Sequence, residues 1–164
     1  MGLNNILISD NAGAVRSAFI NNTPNKNTVT NLKVNSLPEA TNLSYLFNNM
    51  YNLQEVNELN IPETVNISYI FNNCNNLISI SNFNTSNVIN MRSMFSYCKN
   101  LTTIPNFDTS NVTDMYDMFE RCYNLINIPN FNTINVVNMC SMFSYCNNLM
   151  NIPNFDTSNV TDMS

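Results

Sequence analysis

Histidine is absent from this chain. Its absence removes the usual general base of enzymes at neutral pH and the commonest nitrogen ligand of zinc. Charge is scarce as well: Asp, Glu, Lys and Arg make up 10% of the residues, against roughly 25% in ordinary soluble domains. The net charge is −5 and no Lys/Arg cluster occurs, so the electrostatic footprint of a nucleic-acid or anionic-membrane binder is missing. No stretch approaches the ~18 consecutive apolar residues of a transmembrane helix, and membrane insertion is not expected. The amino terminus, Met1 to Ile6, lacks the basic and apolar regions of a secretory signal. Gly2 does not complete a myristoylation motif, because Ile6 stands where Ser or Thr is required.

What the chain has is repetition. Phe47, Phe71, Phe95, Phe119 and Phe143 recur at 24-residue intervals, and other columns keep step. Leu53, Leu77, Leu101, Leu125 and Leu149 each follow an asparagine, and Val56, Ile80, Ile104, Ile128 and Ile152 form a further apolar column. A fixed period of 20 to 50 residues marks a solenoid, in which stacked units share one continuous core. At 164 residues and 44% hydrophobic content the chain is long enough for a real core. Neutral Asn, Ser and Thr fill nearly every position outside the columns and carry its solubility.

Cysteine follows the same beat. Cys74, Cys98, Cys122 and Cys146 share one phase, which Met50 fills in the first unit. A slot that accepts either residue reads as apolar packing rather than as a disulfide framework. Cys140 lies off the column and is expected to be exposed. With no Cys-x-x-Cys pair and no histidine, no metal site and no cofactor are expected.

Residues 1–22 stand outside the repeat and read as an N-terminal cap, with residues 23–164 as the solenoid: a degraded first unit, four full units and a partial last one. Within a unit, Val112, Met115, Met118, Phe119 and Cys122 are spaced by three and four, which predicts one face of a short helix. Asn111 stands at its N-cap and Asp114 three residues on, as in a capping box. The run Leu125 to Ile128, closed by Pro129, predicts a strand of a few residues. Strands stack about 4.8 Å apart and helices about 8–10 Å, so a mildly curved stack with concave strands is expected.

At Asn106 to Met115, followed by Met118-Phe119 and Cys122, the sequence resembles BspA-type leucine-rich repeats, which carry "FDTSNVTDM…MF…C…L". The motif recurs from Phe83, Phe131 and Phe155, and the resemblance covers roughly residues 40–164. It implies an α/β fold, a leucine-rich-repeat solenoid of 24-residue units with short parallel strands on one side and short helices on the other. Members of that family are mostly adhesins and surface proteins of bacteria and some protists, and similar repeats occur in phage-encoded proteins. The resemblance implies no catalytic residues.

Partner sites are expected where columns vary. One such row is Gln54, Ile78, Thr102, Ile126 and Met150, beside Glu55, Ser79, Thr103, Asn127 and Asn151. If one row faces out, Ile78, Ile126 and Met150 form an exposed apolar stripe; the row fits an inward-packing strand face equally well. Tyr97 and Tyr145 share one phase and Tyr51 and Tyr123 another, as contact residues or as packing against the next unit. The asparagine column at 52, 76, 100, 124 and 148 reads as a ladder whose amides satisfy backbone groups at the turn. The threonine column at 85, 109, 133 and 157 reads as turn chemistry. A carboxylate pair from Asp114 with Asp117 or Glu120 is the nearest approach to catalytic chemistry, and a solvated surface accounts for it better.

The expected function is therefore non-enzymatic. It is a protein- or glycan-recognition module displayed outside a bacterial cell or on a phage virion exterior. The alternative is a structural component of a larger assembly such as a virion or tail, docking through the open carboxyl end. There a partner chain or further repeats would cover Val160 and Met163.

Overall fold

The computed structural model describes residues 29–34, 41–61 and 63–164. The expected cap at residues 1–22 and much of the degraded first unit lie outside them. Each 24-residue unit forms one coil, and successive coils are joined by parallel backbone pairing. Strands β1 (Asn31–Val34), β2 (Glu55–Leu59) and β3 (Ser79–Ile80) form one parallel sheet in the order β1-β2-β3. Glu55 lies beside Ser79 and Val56 beside Ile80. Beyond β3 the same strip continues as single contacts: the N–H of Thr102, Ile126 and Met150 each donates to the carbonyl 24 residues earlier. On a second strip, bridges run through Asn42, Asn66, Asn90, Asp114, Asn138 and Asp162.

No helix occurs among the described residues, which corrects the expected helical side. The stretch from Met115 to Cys122 is a ribbon of overlapping turns. The N–H groups of Met115, Asp117, Phe119 and Arg121 donate to the next coil, at Asn138, Cys140, Met142 and Ser144, over 2.7–3.0 Å. Those of Met118, Glu120 and Cys122 donate three residues back within the coil, over 3.0–3.2 Å. Two columns make this alternation possible by adopting positive φ. They are Tyr45, Tyr69, Ser93, Asp117 and Ser141, and Asn49, Asn73, Tyr97, Arg121 and Tyr145, at φ 50–63°. A left-handed residue every fourth position cannot belong to an α-helix, whose residues all sit near φ −63°. The chain's 2 glycines stand elsewhere, so the strain falls on residues with a Cβ, at roughly 1–2 kcal/mol each.

A helix of two turns is marginal by itself, and helices would force neighbouring coils apart to about 8–10 Å. The ribbon instead keeps both walls of the coil at strand spacing and pairs its N–H groups alternately across and along the chain. With hydrogen-bonded backbone on both walls, the difference in spacing that predicted a curved stack is gone.

The expected core columns lie inside, except that Ile152 in the last coil is exposed. Phe47, Phe71, Phe95 and Phe119 are fully buried and stack with Phe143 at centroid separations of 5.5–5.9 Å. Phe83, Phe107 and Phe131 form a second buried column, and Phe107 and Phe131 stack against Phe95 and Phe119. Val112, Met115, Met118, Phe119 and Cys122 are all buried, so the apolar face read from their spacing exists although the helix does not. Cys74, Cys98, Cys122 and Cys146 are free thiols, each 3.0–3.2 Å from the phenylalanine carbonyl oxygen of the preceding coil. Burial pushes the Cys98 and Cys122 thiols far above their ordinary pKa, and Cys146 to about 11. They are packing groups with a weak donor, not nucleophiles. Cys140, expected to be exposed, is half-buried beside the Ser164 hydroxyl.

Polar columns bind coil to coil. The amides of Asn76, Asn100, Asn124 and Asn148 donate to the asparagine one coil earlier over 3.3–3.4 Å. This ladder is amide to amide and solvent-exposed, not amide to turn backbone as expected, because parallel register places identical side chains at strand spacing. Thr85, Thr109 and Thr133 donate their hydroxyls to the carbonyls of Asp108, Asn132 and Asp156 in the next coil over 2.8–2.9 Å.

Relief of left-handed strain is measurable at Ser141 (φ 52°). Ser141→Gly is expected to keep or raise stability in urea titration. Ser141→Val, which puts a β-branched side chain at positive φ, lowers it by about 1–3 kcal/mol. Equal stability of the two variants would contradict a left-handed residue there.

Candidate functional site

Three surfaces carry side chains that lie outside the apolar core. On the first strip each coil leaves two consecutive residues outside. They lie between a buried leucine and a buried valine or isoleucine in the coils up to Ile128, and between half-buried Leu149 and exposed Ile152 in the last. Gln54 and Glu55, Ile78 and Ser79, Ile126 and Asn127, and Met150 and Asn151 are all exposed, while Thr102 is half-buried next to exposed Thr103. Both rows face out, where strict strand alternation would turn one of them inward. Leu77 and Ile80 are buried with two exposed residues between them, so every third side chain, rather than every second, is inside. Ile78 is 47% exposed, Ile126 39% and Met150 73%, which makes an apolar stripe along the strip. Glu55 is the one charged residue among these ten positions.

The second surface holds the tyrosines. Tyr97 and Tyr145 lie on either side of Arg121, whose guanidinium carbon is 4.9 and 4.8 Å from the two ring centroids. Such stacking of a cation on aromatic faces is favourable and orders all three side chains. Glu120 accepts from Arg121 Nε over 3.1 Å and from the Ser96 hydroxyl over 3.0 Å. Tyr123 is half-buried near Arg121. Tyr51 is exposed three coils from Tyr123 in the same column, and the structure does not bring these two together. Alongside, the Arg92 guanidinium sits 3.8 Å above the Tyr116 ring and donates to the Tyr69 hydroxyl over 2.9 Å. Tyr45 and Tyr69 stack at 4.4 Å. Most of these ring faces are therefore spent on neighbours within the stack.

Asp117 stands at this edge, half-buried. Burial and the neighbouring Glu120 carboxylate raise its pKa above the ordinary carboxylate value, against the pull of Tyr116 and Arg92. Asp108, Asp156 and Asp162 move the other way, because serine hydroxyls and backbone N–H groups two residues on bond their charged forms. Asp114 accepts the Tyr116 N–H over 2.9 Å. Asn111 donates to the Ser86 carbonyl of the preceding coil over 2.7 Å. The expected N-cap and capping box are thus a cross-coil bond and an Asx turn.

The third surface escaped the sequence reading. Glu63, Asn87 and Asn111 form one exposed column and Val65, Ile89 and Thr113 another, with buried Thr64, Val88 and Val112 between them. They line a groove of ≈ 490 Å³ running across coils. Its signal was the outward row Val65, Ile89, Thr113 and Val137, masked by its position at the start of the supposed helix. Among the described residues, no group of three or more His, Cys, Asp or Glu side chains is arranged to hold a metal ion, and no helix is long and apolar enough to cross a membrane.

The repeat has a family. The family described as "Mycoplasma protein of unknown function, DUF285" matches residues 41–127 and again 99–164, more than half of the chain, and the chain belongs to it. No curated protein and no solved structure matches the chain.

Electrostatics at Asp117 give a test. The folded chain binds a proton there more readily than the unfolded chain, so ionisation costs stability. That cost is absent below the unfolded pKa and complete above the folded one. Asp117→Asn is therefore expected to raise the melting temperature at pH 7, with the pH-dependent part of the gain vanishing as pH falls through the carboxylate range. A gain that does not change with pH, or a loss at pH 7, would contradict this environment for Asp117.

Proposed function

We propose that this protein is a non-enzymatic recognition module, built on a BspA-like repeat and displayed on a bacterial cell surface or virion exterior. The resemblance at Asn106 to Met115 supports the surface reading, as does membership in a family that shares the repeat. The observation that carries recognition is the outward double row from Gln54 to Asn151. An apolar stripe of Ile78, Ile126 and Met150, 39–73% exposed, lies among polar side chains that are neutral except for Glu55, on hydrogen-bonded backbone. The core does not need these side chains, and a pre-ordered backbone lowers the entropy lost on binding. An uncharged stripe fits a protein surface, with Thr102 and Gln54 at polar contacts. Burial of the Phe, Leu, Ile and Cys columns in the coils up to Ile128 leaves this row free to vary between coils without disturbing them.

Binding of the fluorescently labelled full chain to cell monolayers, alongside a glycan array, tests the reading. Binding is expected on cells. The triple variant Ile78→Asp, Ile126→Asp, Met150→Asp should weaken it by at least about ten-fold, some 1.4 kcal/mol, with a melting temperature near that of the parent. Silence of the parent on both cells and array, or a triple variant that binds as the parent does, would sink the proposal.

A further inference from the structure

We propose that the groove between the columns of Asn87 and Asn111 and of Val65, Ile89 and Thr113 binds a neutral, extended β-1,4-linked glycan laid along the stack. This rests on the reading of the chain as a recognition module but uses a different face from the double row.

Three observations choose the occupant. The first is repeat distance. The coils are joined here by parallel backbone bonds: Ile89 donates to Val65 and Thr113 to Ile89 over 2.8–2.9 Å. Equivalent side chains therefore recur at strand spacing, about 4.8 Å. A β-1,4-linked hexose chain in its extended form advances by nearly that distance per sugar and turns each sugar over relative to the last. Each sugar therefore meets one coil with alternate edges toward the amide wall, and both edges carry hydroxyl groups. An extended peptide repeats its side chains on one face only every ~6.7 Å and falls out of step by about 2 Å at the next coil.

The second is sidedness. One wall is branched and largely apolar, with Val65 37% and Ile89 47% exposed, and suits the axial C–H faces of the sugars. The other wall carries amides. Asn111 donates one hydrogen to the Ser86 carbonyl over 2.7 Å, as Asn135 and Asn159 do further along the column, which fixes the plane of each amide. The second hydrogen and the amide oxygen are not used by that bond, and they suit the equatorial hydroxyls at a sugar's edge.

The third is charge. Glu63 is the one charged residue lining the groove, and the chain carries −5 overall. A polyanion is repelled, while a neutral polymer meets no such penalty.

Because each coil offers a small contact, affinity should grow with chain length. Titration calorimetry of the full chain with cellohexaose and chitohexaose, with the matching trimers, and with an acidic polysaccharide tests this. A hexamer is expected to bind at least about ten-fold more tightly than its trimer, and the acidic polymer not at all. The exposed changes Ile89→Glu and Thr113→Glu, made together, should abolish hexamer binding, while Ile89→Val retains it and guards against misfolding. The triple variant of the double row should bind the hexamers as the parent does. It therefore separates failure of this site from failure of the protein-docking strip. No binding of either hexamer, equal affinity of trimer and hexamer, or preference for the acidic polymer would overturn the proposal.

Discussion

Everything in this molecule depends on the backbone hydrogen bonds between residues one coil apart. A buried N–H or C=O left without a partner costs as much as a lost hydrogen bond, so the interior of a coil must find partners in the next. From Leu43 to Asn49 and again in each following coil, alternate N–H groups do so. The bonds tolerate no change of length in the unit. An insertion of one residue in a coil would turn the row after it from inside to outside. This is why the period holds at 24 while the identity of outward residues wanders: the same position is Gln54, then Ile78, then Thr102, then Ile126, then Met150.

The ladder also imposes a cost, in left-handed backbone at ten of the described residues, all with side chains. Asn49 and Asn73 are well suited to it, because asparagine visits that region more readily than most residues. Tyr97, Arg121 and Tyr145 are not, and they offset part of the strain by stacking on one another. The side chains above the strained backbone are thus tied up in the stack. The apolar side chains of the outward rows over the parallel strips carry no such duty, and both proposed contact surfaces lie there, although Asn111 on the groove's amide wall also bonds the Ser86 carbonyl of the preceding coil.

Much of this was legible in the sequence. Up to Ile128 the Phe, Leu, Ile and Cys columns are inside as their recurrence implied, because a side chain that must fill the same space in every coil leaves a constant residue type. In the last coil Phe143, Cys146 and Leu149 are partly buried and Ile152 is exposed. The helix was not there to be found. A ribbon of turns buries Val112, Met115, Met118, Phe119 and Cys122 at the same spacing of three and four that marks an amphipathic helix, so periodicity could not separate the two. Glycine would have betrayed the left-handed positions, and the chain uses tyrosine, serine, aspartate, arginine and asparagine instead. At the candidate site, the outward stripe of Ile78, Ile126 and Met150 was one of two readings of its row. Exposure of its neighbour row as well follows from a burial period of three at the strip, which no residue type announces. The groove beside Val65 and Ile89 was missed because those residues had been given to a helix start.

Backbone geometry of the middle coils tests the ladder most directly. Solution NMR reports φ at Ser93, Tyr97, Asp117 and Arg121 through HN–Hα couplings and chemical shifts, and it reports contacts between coils through nuclear Overhauser effects. The ladder requires positive φ at all four residues and backbone contacts such as Phe95 to Met118. Negative φ throughout, with contacts confined to residues three and four apart, would mean a helix on that wall and would contradict it.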